Sequence, residues 1–410
     1  MNALFISTHF PYDSQRSATG TYKRMRVFLD ALKERVSLRL LFYYPPYLNV
    51  GARSIEDAKA TMRHEWGLKD VDLVVSKQAR EPDDSKNLWD RYVSRAVSMH
   101  RQLGFVCTSG PEQLRIFERC LEDRPDFIFA HRLTAMCPPL RTRRSLPPIF
   151  LDLDDVEHKA FYRDISQPPL WGTKRLYYLQ MPAMLWGERR AIKLARKTFV
   201  CSTADQQYLG DTWRLPHVKA IPNSIHIPEP QAISDEPVLM FLGGYGYPPN
   251  AIAAEYLVLR IWPLIRRKYP KSRLVIAGGS PERIACYGQP QTGVEYAGFV
   301  EDLDALYRRA RVVCCPIRTG GGTRIKVIEA AAYGKPIVST HVGAEGLEFE
   351  DGREILLRDE PQAFADACIE LFRNGSLSSS LGQTARAKAI KLYDRQHVIQ
   401  LIQRELFGSL

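Results

Sequence analysis

The sequence predicts an α/β protein with two doubly wound domains in tandem. Its 410 residues are 45% hydrophobic and 25% charged, which is enough apolar material for two globular domains. Short apolar strands alternate with amphipathic helices in both halves, and this alternation is typical of parallel sheets. Glycine-rich or polar segments follow several strands directly, where doubly wound folds place their binding loops.

The first half opens with a strand, a loop, a helix and a second strand. An apolar strand is predicted at residues 4–7, followed by a polar loop with Gly20 and a helix whose apolar face carries Met25, Phe28 and Leu32. The strand predicted at 38–43 follows at once, and a crossover of this length implies parallel pairing. The later elements of this half are a helix at 184–195 and strands at 71–75, 127–130, 149–152 and 198–201.

The alternation breaks at residues 221–224, Ile-Pro-Asn-Ser, and a segment rich in Pro, Ser and acidic residues follows. We place the interdomain linker here, with residues 1–227 as the first domain and 228–393 as the second. An amphipathic helix at 394–410 is expected to cross back to the first domain. The second domain has predicted strands at 238–242, 274–277, 312–316 and 337–340, and a cleft is expected between the two domains.

Several classes of protein are excluded by what the sequence lacks. No run approaches the roughly 18 apolar residues of a membrane span, and the first residues do not resemble an export signal, so we expect a cytoplasmic protein. The eight cysteines show no metal-site spacing and are interpreted as buried apolar residues. The sequence has no His-Glu-x-x-His, Gly-x-Ser-x-Gly or P-loop motif, which argues against zinc proteases, serine hydrolases and P-loop ATPases.

The net charge of +11 lies almost entirely in the first half. Residues 1–228 contain 35 basic and 25 acidic side chains, against 22 and 21 in the remainder. Such an excess favours an anionic partner, either a phosphate-bearing acceptor or the inner face of a membrane, although a solvated basic surface has the same composition. Nothing in the sequence indicates a nucleic-acid partner.

The strongest candidate site is the segment at residues 316–329, which contains three consecutive glycines, Gly320, Gly321 and Gly322. A strand ends at residue 316, the glycines allow close approach of the backbone, and Thr323 is predicted to cap the next helix. Amide groups and a helix N-terminus would then face a diphosphate, with Arg324 or Lys326 as countercharge for a leaving group. Glu329, one turn deeper, is placed to accept hydrogen bonds from ribose hydroxyls. The alternative is a glycine-rich turn with solvated charges.

Two groups in the first half are candidates for the acceptor side and for catalysis. Thr19 and Gly20 precede the first helix and Arg24 lies one turn into it, where they are expected to close over donor phosphates. His131 follows a predicted strand, and we expect it to polarise an acceptor hydroxyl or contact the donor sugar. A structural histidine at a strand end is the alternative.

Residues 152–158, Asp-Leu-Asp-Asp-Val-Glu-His, end another predicted strand. We prefer Asp155 or His158 as an acceptor-side base, with helix capping by Asp154 or Asp155 as the alternative. Two sharper interpretations are Mn²⁺ chelation by Asp-x-Asp and the aspartate nucleophile of haloacid-dehalogenase phosphatases. The phosphatase motif normally opens its domain, whereas this one lies in the middle of the chain, so neither interpretation is preferred.

The segment from Trp171 to Trp186, followed by Arg189 and Arg190, combines aromatic and basic residues as interfacial helices do. Contact with a membrane or a lipid acceptor is one interpretation. Internal packing of the aromatic residues is the other.

Residues 320–340 also resemble a known family. They read Gly-Gly-Gly-Thr-Arg-Ile-Lys-Val-Ile-Glu-Ala-Ala-Ala-Tyr-Gly-Lys-Pro-Ile-Val-Ser-Thr, which resembles the donor-site signature of family 4 retaining glycosyltransferases of the GT-B fold. Residues 221–224 resemble the interdomain segment of that family, 241–250 its first strand and loop of the second domain, and 297–300 its base-contacting turn. The resemblance is good from about residue 199 onward and loose before it.

The resemblance implies a retaining hexosyltransferase that needs neither a metal nor another cofactor. Its donor would be a UDP- or GDP-sugar and its acceptor a lipid-linked molecule or a glycan, in cell-surface polysaccharide synthesis at the inner face of a membrane. A sugar-nucleotide epimerase, a phosphorylase and an inactive nucleotide-sugar-binding protein remain alternatives. Besides the residues of the glycine loop, the resemblance implies donor contacts from Gly243, Gly244, Tyr245, Asn250, Gly278, Gly279, Phe299 and Val300.

Two departures from the family pattern concern the donor site. The family usually has two glutamates eight positions apart; Glu329 matches the second, but Gly321 occupies the place of the first. Sugar recognition is therefore expected to use backbone groups. The family also commonly carries an arginine and a lysine after the first strand of the second domain, whereas residues 243–250 contain no cation. Arg324 and Lys326 are the candidates to replace them.

Overall fold

The computed structural model describes residues 1–11, 19–45, 50–68, 71–79, 89–166 and 172–408. The chain forms two compact units: unit 1 comprises Met1–Ile221 and Ile399–Leu410, and unit 2 comprises Pro222–Val398. The Ile-Pro-Asn-Ser segment thus enters unit 2 at its second residue. The amide of Ile225 donates to the Tyr393 carbonyl at 3.0 Å and the Arg395 amide donates to the Ile225 carbonyl at 2.9 Å, which attaches this segment to unit 2.

Unit 1 is built on a parallel sheet of seven strands in the order β3-β2-β1-β4-β5-β6-β7. Its central strands are continuous apolar runs because both faces of a parallel sheet are covered by helices. The strands are β1 (Asn2–Ser7), β2 (Ser37–Tyr44), β3 (Asp72–Lys77), β4 (Phe127–His131), β5 (Ile149–Asp154), β6 (Lys197–Val200) and β7 (Val218–Ala220).

The helices of unit 1 present apolar faces to this sheet. In the first of them, Met25, Phe28 and Leu32 are fully buried, as the predicted periodicity requires. The α-helices are α1 (Gly20–Lys33), α2 (Ala52–His64), α3 (Arg95–Val97), α4 (Pro111–Cys120), α5 (Cys137–Arg141), α6 (Glu157–Ser166), α7 (Met181–Leu194) and α8 (Thr203–Trp213). A π-helical turn, Trp89–Ser94, and a 3₁₀ segment, Gly172–Gln180, precede α3 and α7.

Unit 2 has a parallel sheet of six strands in the order β10-β9-β8-β11-β12-β13. The strands are β8 (Val238–Leu242), β9 (Arg273–Ala277), β10 (Val294–Gly298), β11 (Val312–Cys315), β12 (Ile337–Ser339) and β13 (Leu356–Leu357). The helices are α9 (Pro248–Tyr256), α10 (Trp262–Lys268), α11 (Leu303–Arg309), α12 (Ile325–Ala332), α13 (Pro361–Arg373), α14 (Gly375–Tyr393) and α15 (Arg395–Phe407), and the last of these extends into unit 1.

The strand orders identify, in each unit, the crevice that open α/β sheets commonly use to bind ligands. The order reverses between β1 and β4 in unit 1 and between β8 and β11 in unit 2. In open α/β sheets, the crevice outside the carboxyl ends of such strands is the usual binding site. The predicted α/β class with two doubly wound sheets is confirmed. Within the described part of the chain, no helix is both long and apolar enough to span a bilayer.

Candidate functional site

In unit 2, the carboxyl ends of β8 and β9 approach each other through glycine backbone. The Gly243 amide donates to the Ala277 carbonyl at 2.9 Å, and the Tyr245 amide donates to the Gly279 carbonyl at 2.9 Å. Gly278 has φ +132°, and a Cβ there would lie 1.8 Å from the Gly243 carbonyl oxygen. Only glycine fits at position 278, so the two predicted glycine pairs form one tight backbone junction.

The loop after β11 depends on glycine for its backbone conformation. Gly320 has φ +94° and Gly322 has φ +70°, both in the region that side chains disfavour. A Cβ on Gly320 would also lie 2.8 Å from the Tyr247 hydroxyl. The triglycine segment is therefore a defined loop between β11 and α12.

The predicted helix cap at Thr323 is wrong. The N-cap position of α12 is Arg324, whose backbone is extended. The Thr323 hydroxyl instead accepts a hydrogen bond at 2.8 Å from the Asn223 side-chain amide. The predicted linker segment therefore contacts the glycine loop directly.

Arg324 folds back onto the loop that precedes it. Its Nη1 donates to the Gly321 carbonyl and, at 2.7 Å, to the Gly322 carbonyl, and its Nη2 donates to Thr319 at 3.3 Å. The side chain is buried, and its Nε has no hydrogen-bond partner among the described residues. Arg324 thus holds the shape of the loop and adds positive charge beneath it.

Lys326 fills the space at the end of β8. Its Nζ donates to Asn250 Oδ1 at 2.7 Å and lies 4.6 Å from the centre of the Phe241 ring. A Cβ on Gly243 would lie only 2.9 Å from this Nζ. Asn250 in turn donates from Nδ2 to the Gly244 carbonyl at 2.9 Å. The structure brings these predicted residues into one cluster, with an ammonium group where the loop after β8 has no cation of its own.

Burial lowers the pKa of Lys326 to about 8. The ammonium is therefore charged near neutral pH, and Asn250, its hydrogen-bond partner among the described residues, is neutral and does not compensate that charge. An anion placed beside it would restore the compensation.

The remaining predicted donor residues differ in how far their side chains are exposed. Phe299 is 49% exposed at the end of β10, and Glu329 is half-buried on α12. Tyr245 differs from the prediction because its side chain is buried and its hydroxyl donates to the Ala277 carbonyl at 3.1 Å. Its phenol belongs to the core, which leaves only its backbone for a ligand. Val300 is half-buried and packs against the unit 2 core.

Glu329 has two aromatic neighbours that sequence reasoning did not identify. The rings of Tyr307 and Tyr333 stack with centroids 4.0 Å apart. Burial first, and then the charge of Glu329, raise the pKa of the Tyr307 hydroxyl well above its usual value. The carboxylate therefore lies beside a buried aromatic pair, which fixes the wall of the site behind it.

In unit 1, His131 ends β4 next to the end of β1. Its Nδ1 lies 2.9 Å from the Ser7 hydroxyl, which accepts a hydrogen bond from the His9 amide at 3.0 Å. The hydroxyl proton is then available for Nδ1, which assigns the ring proton to Nε2. Nε2 has no hydrogen-bond partner among the described residues and lies 3.9 Å from Asp152 Oδ2. Burial lowers the pKa of His131 well below its usual value, so the ring is neutral.

Arg24 occupies a different place from the one predicted. Its guanidinium is buried and donates to both carboxylate oxygens of Asp152, with a shortest distance of 2.6 Å, and to the Ile221 carbonyl at 2.9 Å. Nε also lies 3.2 Å from Asp154 Oδ1. Arg24 therefore joins α1 to the end of β5. Thr19 and Gly20, at the start of α1, are exposed.

His158 is also unlike the predicted base. It is buried, its Nδ1 lies 2.5 Å from Glu188 Oε2, and its Nε2 lies 2.8 Å from the Tyr208 hydroxyl. Both ring nitrogens are thus engaged, which favours a structural role. Glu188 also accepts hydrogen bonds from the Glu157 and His158 amides, so it caps α6 in place of the predicted aspartates. No local pattern in the sequence indicates this partner.

Asp155 is half-buried beside two groups from other elements. Its Oδ2 lies 3.9 Å from Arg132 Nη2, and its Oδ1 accepts a contact from the Cys201 thiol at 3.8 Å. Asp154, Asp155 and Cys201 have ligand atoms within 4.8 Å of one another, which is a spacing that suits a metal. Arg24 and Arg132 already supply positive charge here, and metal independence stays a prediction.

His131 should make stability depend on pH. The unfolded imidazole, with a pKa of about 6.5, binds a proton in acid, whereas the folded one does not. Its contribution is therefore complete above that pH and is lost as pH falls, by up to about 1.4 kcal/mol per unit. We expect the difference in unfolding free energy between wild type and His131→Gln to shrink between about pH 7.5 and 5.5. Chemical denaturation across this range measures it, and a constant difference would contradict the neutral assignment.

Comparisons with known proteins agree with this geometry. Residues 236–374, inside unit 2, match the family described as Glycosyl transferases group 1. Over 204 residues the chain is 28% identical to the phosphatidyl-myo-inositol mannosyltransferase of Mycobacterium leprae. The aligned region covers 45% of this chain and 52% of that protein. The chain thus spans about half the length of the curated relatives it matches.

Solved structures resemble the whole chain. HepE of Anabaena, in complex with UDP and glucose, has a TM-score of 0.63 at 14% identity and covers 100% of this chain and 99% of that one. Sucrose-phosphate synthase of Thermosynechococcus elongatus has a TM-score of 0.68 at 15% identity, with 100% of both chains covered. These neighbours define the fold class as GT-B. The match of residues 236–374 to Glycosyl transferases group 1 and the fold of these neighbours confirm the resemblance to that family and the GT-B fold.

Proposed function

We propose that this protein transfers a hexose, with retention of configuration, from a UDP- or GDP-sugar to a lipid-linked or glycan acceptor in cell-surface polysaccharide synthesis. The carrying observation is the position of Lys326, whose ammonium lies beside Gly243 at the end of β8, next to the glycine loop of β11. This is the place where the strand order of unit 2 reverses, and a diphosphate there would meet a half-buried cation and the N-terminus of α12.

The chemistry follows from the charge that develops when the sugar leaves. Departure of the sugar increases the negative charge on the diphosphate, and preorganised cations and amides at that point lower the barrier. Lys326 supplies the ammonium and Arg324 holds the loop amides in place. Because Gly321 has no side chain, hydrogen bonds to the sugar come from the backbone of this loop.

His131 contributes a neutral hydrogen-bond donor in this proposal. With Nδ1 bonded to Ser7, the Nε2 proton is the donor left for a sugar hydroxyl. A neutral ring orients such a hydroxyl without adding positive charge. Asp155 remains the candidate for the acceptor side, since it is half-buried and its carboxylate lies 3.9 Å from the Arg132 guanidinium.

The finer parts of the proposal have separate support. The UDP bound in HepE favours a uridine diphosphate sugar, and the lipid in the name of the mannosyltransferase favours a lipid-linked acceptor. Retention of configuration and independence from metal rest on the family resemblance. The absence of the first glutamate, at Gly321, keeps the inactive binding protein as the alternative.

A donor screen tests the proposal. The thermal unfolding temperature of the full chain should rise in the presence of UDP- or GDP-sugars and rise less with ADP- or TDP-sugars, because ligands that bind the folded state stabilise it by mass action. The preferred donor is then incubated with lipid-linked acceptors and the product identified by mass spectrometry. Free nucleotide without a glycosylated acceptor would favour an epimerase, and binding without turnover would favour the inactive protein. The absence of any shift would contradict a donor site.

Glu329 should contribute to binding of the ribose. We expect Glu329→Gln to weaken UDP and uridine alike by about tenfold, since a hydrogen bond to a charged group contributes about 1.5–3 kcal/mol. Isothermal titration with both ligands measures the effect. Glu370→Gln, an exposed carboxylate on α13, is the matched control and should leave both affinities unchanged. Loss of UDP affinity with unchanged uridine affinity would place Glu329 at the phosphates instead.

A further inference from the structure

One part of unit 1 exposes large apolar side chains. Trp89 and Trp186 are each 65% exposed, Val97 is 71% exposed and Leu179 is 50% exposed. They belong to elements that pack together: α7 packs on α3 and on the segment around Met99, and Gly172–Gln180 packs on Trp89–Ser94. We call residues 89–108 and 172–194 the basic lobe. Large exposed aromatic groups on neighbouring elements indicate an interaction surface.

Helix α7 shows how these groups are presented. Pro182, Trp186, Arg190 and Lys193 are exposed and lie three or four residues apart, so they share one face of the helix. The opposite side packs inward, and a Cβ on Gly187 would lie 2.5 Å from Met99 Cβ. The exposed tryptophan therefore lies one turn before Arg190 and two turns before Lys193 on the same face.

The charge of the basic lobe is strongly one-sided. It contains eight arginines and lysines against two acidic residues, Asp90 and Glu188. Glu188 is buried and bonded to His158 and the start of α6, so it does not offset the cations at the surface. Exposed cations of the lobe include Arg101, Arg175, Arg190 and Lys193.

Exposed aromatic side chains together with an excess of cations favour a membrane surface over a second copy of this chain. A second copy of this chain on the same surface would bring like charges together, which disfavours a symmetric dimer. Tryptophan, leucine and arginine side by side match the headgroup region of a bilayer, where aromatic rings lie among the headgroups and cations attract anionic lipids.

We propose that the basic lobe binds the surface of an anionic phospholipid membrane, with Trp186 and Leu179 in the headgroup region and Arg190 and Lys193 against lipid phosphates. Membrane binding by the basic lobe would bring the protein to a lipid-linked acceptor, and this role rests on the proposed function. Membrane binding itself requires no donor and no turnover, so it is measured independently.

Vesicle sedimentation of the full chain tests this proposal. Wild type should bind vesicles of phosphatidylcholine mixed with phosphatidylglycerol, bind phosphatidylcholine alone weakly, and dissociate at high salt. Arg190→Gln with Lys193→Gln should lower the partition coefficient about thirtyfold, at about 1 kcal/mol per charge. Leu179→Ser with Trp186→Ser should lower it at least about tenfold.

The control variant is Ile390→Ser with Lys391→Gln, an exposed apolar and cationic pair on α14 of unit 2. It should bind vesicles as wild type does. Equal binding of all variants, or no preference for anionic vesicles, would overturn the proposal. The proposal would also be overturned if the protein did not bind vesicles and instead formed a dimer in solution that the lobe variants dissociate. Titration of UDP into each variant separates membrane binding from the proposed function. The lobe variants should keep the affinity of wild type for UDP. If the wild type itself does not bind UDP, only the proposed function is overturned.

Discussion

Replacing Lys326 by methionine is expected to lower kcat/KM for the nucleotide-sugar donor by about 100- to 1,000-fold, the range observed when a preorganised group that stabilises developing negative charge is removed. Methionine keeps the length of the side chain but leaves the diphosphate without the ammonium at the end of β8. Initial rates at varied donor concentration measure the effect. Affinity for UDP should fall while affinity for uridine should not, because uridine has no phosphate.

Lys335→Met is the matched control for this change. Lys335 is buried, burial lowers its pKa to about 8 as well, and it lies just beyond the C-terminal end of α12, where it donates to the carbonyls of Ala232 and Ala310. It removes the same charge and should lower stability without changing affinity for UDP in the folded protein. Equal losses of donor affinity in both variants would mean that the effect of Lys326 is only structural.

The pH dependence of donor binding gives a second measure of the same group. Because the pKa of Lys326 is lowered to about 8, the ammonium is present below that pH and is lost above it. Affinity of the wild type for UDP should therefore decrease as pH rises through this range, and the decrease should be missing from Lys326→Met. A wild-type affinity that does not change across this range would contradict the assignment.

Replacing Arg24 by methionine should destabilise unit 1 by about 3–5 kcal/mol, because it leaves buried carboxylates without their counterion. Burial raises the pKa of Asp152 to about 6 and the charge of Arg24 opposes this rise, so the carboxyl should protonate more readily in the variant. A carboxyl with a raised folded pKa loses stability as pH increases between its unfolded and folded values. The defect should therefore decrease in mild acid.

Chemical denaturation at several pH values measures this effect. Arg26→Met, on the same helix, is the control: Arg26 is half-buried and donates to the Glu65 carbonyl, and its loss should cost less than about 1 kcal/mol. Adding Asp152→Asn to Arg24→Met should recover part of the stability, because it removes one unpaired charge. No difference between the Arg24 and Arg26 variants would contradict the buried pairing.

The fold was predictable where local sequence determines it. The strand Val238–Leu242 is a continuous apolar run, and its predicted limits agree with the structure. Three strands escaped prediction: Val218–Ala220, Val294–Gly298 and Leu356–Leu357. Each lies at the edge of its sheet and is short or partly exposed, so its pairing depends on the neighbouring strand more than on its own pattern.

The candidate site was predictable to the extent that its residues lie close in sequence. The spacing of Lys326 and Glu329 on one helix followed from helical periodicity. By contrast, Arg24 and Asp152 are 128 positions apart, and His158 and Glu188 are 30 apart. Their pairing arises from the packing of separate elements against one another, which the local sequence pattern does not encode. The same reason explains why Arg24 and His158 were expected at a surface that they do not reach.

Lys326 and Glu329, the proposed phosphate and ribose contacts, lie on one short helix, so the helix fixes the distance between them. Three residues of α-helix advance by about 4.5 Å, so the phosphate and ribose contacts are separated by a length that the helix sets. Neither contact can be moved without the other unless α12 itself is altered. Selectivity for the nucleotide base would then depend on residues outside α12, such as the exposed Phe299, because the proposed contacts of α12 are to parts that all nucleoside diphosphates share.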